Sequence, residues 1–494
     1  MNVLVLPIAL PLFTAAVLLL APSRPLLQRW ISFAGACALA IAAVLVFVRV
    51  ERDGILVLQL GGWPAPFGIT LVADVLSAML VVATAVVGLA VASSAFSGVD
   101  PRREGFGYHG LIHVLLMGVS GAFLTGDLFN LYVWFEVMLV ASFVLMALHR
   151  TRAQLEAAFK YVALNLIASS LFLTTLGLLY GGTGALNMAE LATILPAREN
   201  TAYETILAML FLTAFGIKAA MFPLFFWLPA SYHTPPAAVG AVFAGLLTKV
   251  GVYSMIRVFT LLFPGDPAML YTLLLAQAGC TMIVGLVGAL AQRDFRRILS
   301  FNLVGHLGYT TVGVALGTSA AMAGSIFYIL HHIAAITNLY LISGVFLRLR
   351  HTTSLTELGS IFRERPLVAI LAAIPVFSLA GVPPLSGFIG KLALVRGAFG
   401  AGAWWTGGII LAVSLLTLLS MARLWSESFW KTAPHGDKSR LPGVILLPIA
   451  FLSAITVAMT VAAGPLYQLA MKTSDQLLNP ALYIDAVLKG GPQP

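Results

Sequence analysis

LAGVPPLSGFIGKLALV, residues 379–395, sets a double proline (Pro383, Pro384) and a lysine (Lys391) inside an otherwise apolar stretch. Proline removes a backbone donor and breaks a helix. Non-helical backbone at membrane depth is tolerated only where protein or a watery cavity covers it. A charge at that depth costs roughly 3 kcal/mol to insert and usually lines an ion path or a proton relay. The stretch therefore reads as an interrupted membrane helix with an ionisable group beside the break. MFPLFFWLPASYHTPPAAVG, residues 221–240, repeats the pattern just after Lys218, with Pro223, Pro229, Pro235 and Pro236. Paired Gly/Pro-interrupted helices in two halves of a chain point to inverted repeats with an ion site between them.

Composition agrees. Of 494 residues, 60% are hydrophobic and 10% charged, and the mean hydropathy is +0.97. An ordinary soluble domain is about 25% charged. An all-α polytopic membrane protein is expected. The net charge of +9 is read as a topology signal and not as a nucleic-acid footprint. Cys37 and Cys280 lie in separate apolar segments, form no metal or redox motif, and read as small buried hydrophobes.

Segments of roughly 20 mostly apolar residues span a bilayer. Fourteen are expected: 3–21, 30–50, 70–97, 110–126, 128–148, 155–180, 203–222, 238–262, 268–290, 299–317, 320–347, 367–400, 402–430 and 441–470. The first lacks a basic leader and is read as a retained helix. Loops after odd-numbered segments hold Arg24, Arg29, Arg102, Arg103, Arg150, Arg152, Arg293, Arg296, Arg297, Arg348, Arg350, Arg363, Arg365, Lys431, Lys438 and Arg440. Those after even-numbered segments hold only Arg49, Arg52, Arg198, Arg257 and Arg396. The positive-inside rule then puts both termini on the outer side. The breaks fall in segments seven and twelve, which places them equivalently in two five-helix repeats, segments 4–8 and 9–13. Four regions follow: three N-terminal helices (1–109), the first repeat (110–265), the second repeat (266–430), and the last helix with its C-terminal tail (431–494).

The candidate site is a row of buried titratable residues. Glu136 lies well inside the fifth segment and Lys218 near the end of the first half of the seventh. A pair between them across neighbouring helices is the cheapest way to bury both. The alternative is a static ion pair, but the lysines outnumber the acids. Lys249 and Lys391 have no evident partner. Desolvation disfavours an ammonium, so such lysines can load and release protons. Snorkelling to an interface is the bland reading, and Lys249 is too deep for it. His306, His331 and His332 titrate near neutrality and suit a bridge between lysines; a structural hydrogen bond is the alternative. One of the adjacent pair His331/His332 is expected to face the interior, not both.

Lys160 and His332 are accessory candidates, and Lys160 either anchors at the interface or approaches Glu136. Asp74 and Asp127 read as helix caps, and Glu427 as a surface partner of Arg423. His109 and His113 have metal-ligand spacing but read as interfacial. No catalytic residue, metal site or cofactor is expected. A membrane haem protein, the rival of another class, needs facing histidines and leaves the buried charges unexplained.

These residues carry a family resemblance. WFEVMLV (Glu136), FGIKAAMFPLFFWLPASYHTPPAAV (Lys218), GLLTKVGVY (Lys249), QRDFRRILSFNLVGHLGY (His306) and GVPPLSGFIGK (Lys391) occur in this order. The chain resembles the proton-translocating membrane subunits of respiratory complex I and the multisubunit Mrp (Mnh, Pha) cation/proton antiporters. Its length, the opening LPIALPLF and lysine in segment twelve resemble the D-type subunits of the antiporter branch. The resemblance implies 14 helices in inverted repeats. It implies a relay from Glu136 and Lys218 through Lys249 and His306/His331 to Lys391. It also implies a bacterial cell-membrane location and, as partners, the A, B, C, E, F and G subunits of an Mrp antiporter, with protons moved by this chain and Na+ through the complex. Many relatives carry a lysine where this chain has Ile336, so histidine and water are expected to serve the centre here. The rival within the resemblance is a proton-pumping subunit of a quinone-reducing complex or a membrane hydrogenase.

Overall fold

The computed structural model describes residues 2–489 except 22–23, 98–103, 105, 149–150, 198–200, 265–267 and 434–440. The loop residues Arg102, Arg103, Arg150, Arg198, Lys438 and Arg440 lie outside the described residues.

Lipid offers no hydrogen bonds, so each apolar run satisfies its backbone as a helix. The main helices are α1 (Leu6–Leu20), α2 (Pro25–Asp53), α3 (Val75–Ser94), α4 (Tyr108–Leu124), α5 (Leu128–Ala147), α6 (Arg152–Thr183) and α7 (Thr201–Lys218). Next come α8 (Ala237–Leu261), α9 (Ala268–Ala291), α10 (Phe295–Leu316) and α11 (Ser319–Arg350). The last are α12 (Pro366–Ala380), α13 (Ser386–Gly400), α14 (Trp404–Trp425), α15 (Leu446–Val461), α16 (Ala463–Leu477) and α17 (Pro480–Leu488). Among the described residues, eleven helices are long and apolar enough to cross a membrane.

Three helices form the centre. The most apolar windows of α8, α10 and α11 are 100%, 94% and 89% buried, whereas those of α1, α2, α6 and α14 are 33–39% buried. A helix surrounded on all sides is buried all round. This corrects the expectation that only one of His331 and His332 faces inward: both are fully buried on α11.

Both proline-rich stretches interrupt helices. α7 stops at Lys218, and the chain continues through a short helix, Trp227–Ser231, before α8. α12 stops at Ala380, Gly381 takes a left-handed conformation (φ 85°), and α13 starts at Ser386. α8 carries a π turn at Phe243–Leu247, immediately before Lys249. Gly251 lets α8 press on the α7 break: a Cβ there would lie 2.7 Å from the Ala219 nitrogen.

The chain is not purely α. A hairpin pairs β1 (Leu56–Gln59) antiparallel with β2 (Thr70–Ala73), Leu56 opposite Ala73. The third segment therefore begins as a strand, and its helix starts only after the Asp74 cap. Segment fourteen is also shorter than expected. α15 ends at Val461, and the sequence beyond alternates apolar with polar residues (Gln468, Lys472, Asp475, Gln476) to form the separate amphipathic helix α16. Arg257, assigned above to a loop, lies inside α8 and is buried. Cys280, expected in the core, is exposed on α9.

A buried row of titratable side chains as candidate functional site

Lys218 is buried at the end of α7, where its Nζ donates to Ser169 Oγ of α6 at 2.8 Å and lies 5.0 Å from the centre of the Phe135 ring. Glu136 is half-buried on α5, near enough for its charge to act on Lys218, yet no ion pair joins them. Its buried Oε1 has no hydrogen-bond partner. The expected direct pair is therefore open in this structure. The cause is helical geometry: adjacent residues point about 100° apart, and Phe135 holds the α5 face turned to Lys218.

Beside Lys218 lies a cavity of about 20 Å³, bounded also by Phe135, Tyr161, Asn165, Trp227, Tyr232 and Leu247. That is room for a single water, given polar partners. Tyr161 bonds Ser142 Oγ at 2.7 Å, and the Tyr232 hydroxyl is unpartnered. The cavity thus points from Lys218 toward the π turn of α8. There Lys249, 1% exposed, donates to the Ala244 carbonyl at 2.7 Å. A π turn leaves a carbonyl off the regular ladder, and the lysine occupies it.

The three histidines meet between Lys249 and Lys391. His306 and His332 stack with ring centroids 5.1 Å apart. His306 Nδ1 bonds the Tyr328 hydroxyl, and His331 Nδ1 bonds Ser386 Oγ at 3.0 Å. Nε2 of His306 and of His331, and both ring nitrogens of His332, have no partner. The charges of Lys249 and Lys391 both reach His306 and His332. Lys391 Nζ donates to the carbonyls of Leu379 and Ala380 at 3.1 Å each, the unpaired end of α12, and lies 5.7 Å from the Tyr309 ring. Ile336 is fully buried.

Other candidates fall elsewhere. Lys160 is exposed and pairs with Glu156 at 2.5 Å, beside a 520 Å³ surface cavity also lined by His233 and Arg297; it does not join the row. His109 and His113, at the start of α4, are buried inside the protein: His109 contacts Glu104 at 3.2 Å, and His113 bonds Ser32 Oγ at 3.1 Å. Among the described residues no cluster of three His, Cys, Asp or Glu could hold a metal. Asp74 and Asp127 are helix caps. Glu427 pairs with Lys431, one turn on, and not with Arg423, which donates to the Leu290 carbonyl.

Sequence reasoning missed the hydroxyl partners Ser169, Tyr328 and Ser386. Only Tyr328 carried a signal, one helical turn before His331 and His332.

Residues 125–420 match the family model described as NADH:quinone oxidoreductase/Mrp antiporter, TM. The chain is 43% identical over 490 residues to the D subunit of the Na(+)/H(+) antiporter of Alkalihalophilus pseudofirmus, covering 99% of each. Its structure matches a chain of the Mrp complex from Dietzia sp. with TM-score 0.92 and 31% identity, covering 98% of this chain and 99% of that one. It also matches a chain of an archaeal membrane-bound sulfane sulfur reductase with TM-score 0.90 and 28% identity, covering 98% and 100%. By model, relative and fold alike, this chain belongs to the NADH:quinone oxidoreductase/Mrp antiporter family of membrane subunits.

Proposed function

We propose that the chain is the proton-translocating D-type subunit of a multisubunit Na+/H+ antiporter, with Glu136, Lys218, Lys249, His306, His331 and Lys391 as its relay and His332 as a member of the central cluster. Full-length identity of 43% to the D-type component of such an antiporter favours this over a redox-driven pump. The observation that carries it is a row of buried titratable groups lying between the two helix breaks. Each buried charge costs about 3 kcal/mol, so the three buried lysines together cost an amount comparable to the ~5–15 kcal/mol that holds a typical protein folded. A cost on that scale calls for a function.

The reading includes 14 spans in inverted repeats (110–265 and 266–430), both termini on the outer side, and assembly with the A, B, C, E, F and G subunits. In it the Glu136–Lys218 pair closes and opens. Closed, Glu136 stabilises protonated Lys218; open, as here, Lys218 turns to Ser169 and the small cavity and passes its proton toward Lys249, the histidines and Lys391. The test is antiport by the purified whole complex in proteoliposomes with Na+, K+ or Li+ supplied in turn. Sodium-driven proton movement supports the reading. Proton pumping that requires an electron donor and not sodium would favour the redox-driven family members instead.

A further inference from the structure

A second buried charge cluster lies off the row. α8 stacks Lys249, Tyr253 and Arg257 at four-residue spacing, on one face and one turn apart. This ladder climbs from the row toward the face that carries α16 and α17. At its end Arg257 Nη2 meets Asp74 Oδ2 at 2.5 Å, both side chains at most 4% exposed. Asp74 Oδ1 accepts from the Ser77 nitrogen at 2.9 Å. The Tyr253 hydroxyl lies 3.2 Å from Ser77 Oγ and 3.5 Å from Arg257 Nη2. Tyr483 of α17 covers the guanidinium at 5.0 Å, and Gln476 of α16 accepts from the Val75 nitrogen at 3.2 Å.

Hydroxyls at Tyr253 and Ser77 would ordinarily extend a proton path from Lys249 to that face, short-circuiting the row. Three features oppose it. The Tyr253 hydroxyl donates to the Phe123 carbonyl at 2.9 Å, which cannot pass a proton on. A guanidinium offers donors only and does not release its proton. It stands between the hydroxyls and Asp74, with its positive end toward the ladder. Lys249 itself turns away, to the Ala244 carbonyl. We propose that the Arg257–Asp74 pair, capped by Tyr483, is an electrostatic seal that closes the α8 ladder and confines the proton to the row leading to Lys391. This inference rests on the proposed relay.

A simple strap between α3 and α8 would lose assembly when removed; a seal loses coupling. The test is proton leak in proteoliposomes of the whole complex under an imposed pH gradient without sodium. The assembled Asp74→Asn/Arg257→Gln double variant should leak severalfold faster than wild type, because its neutral amides restore hydrogen-bonding groups at the end of the ladder but not the guanidinium that holds its protons. Adding Lys249→Ala should stop that leak. If the double variant does not assemble, Arg257→Lys replaces it: a lysine releases its proton, so this variant should also leak. A tight, assembled double variant or Arg257→Lys variant overturns the seal, and so does a leak that survives Lys249→Ala. Antiport by Lys249→Ala alone tests the relay separately.

Discussion

Lys391 of α13 reaches back across the helix break to the carbonyl of Leu379, 3.1 Å from its Nζ, at the unpaired end of α12. The break supplies the acceptors that regular helix would have used up, and Gly381 is part of that fit. A Cβ at Gly381 would lie 3.2 Å from the Lys391 Nζ.

This geometry separates two roles for Lys391. A static charge that holds the break together tolerates arginine, which keeps the charge. A relay group does not, because a guanidinium does not let go of its proton. Lys391→Arg is expected to assemble normally and lose antiport in everted vesicles. Normal antiport by that variant would make Lys391 structural.

Ser386 orients His331 through one hydrogen bond. Such a bond is worth about 1 kcal/mol net, equivalent to about fivefold in rate. Ser386→Ala should reduce antiport by that order without changing complex yield. Unchanged rates would remove His331 orientation from the account.

Gly251 sits where α8 meets the backbone at the end of α7. Backbone cannot yield as a flexible side chain does. Gly251→Val should destabilise the protein by about 1–3 kcal/mol, the usual cost of overpacking, visible as a lower thermal midpoint of the purified complex. A melting curve superimposable on wild type contradicts the close approach.

Lys160 is the negative case. Its pair with Glu156 is exposed, and such i,i+4 pairs are worth only about 0.3–0.5 kcal/mol. Lys160→Ala should leave antiport within about twofold of wild type. Loss of transport would bring Lys160 into the row.

The charges of the site were legible in the sequence because each is expensive in lipid and stands out against an apolar background. The breaks were legible because proline cannot continue a helix. What was not legible is what those charges touch. Ser169 and Ser386 are cheap to bury and leave no trace in composition. Whether Glu136 or Phe135 meets Lys218 depends on the rotation of α5, which a uniformly apolar helix does not encode. The burial of both His331 and His332 depends on α11 being surrounded, a property of the bundle and not of its own sequence. Arg257 looked like a loop charge near a helix end until α3 brought Asp74 to it.

The central claim is that the buried row carries the proton, and Lys218 stands at the first helix break, near enough to Glu136 for that charge to act on it. The direct measurement is sodium-driven antiport in everted vesicles containing Lys218→Ala, with assembly of the complex confirmed on native gels. Background-level transport by a fully assembled complex is the predicted result; wild-type transport by the same assembled complex would contradict the account.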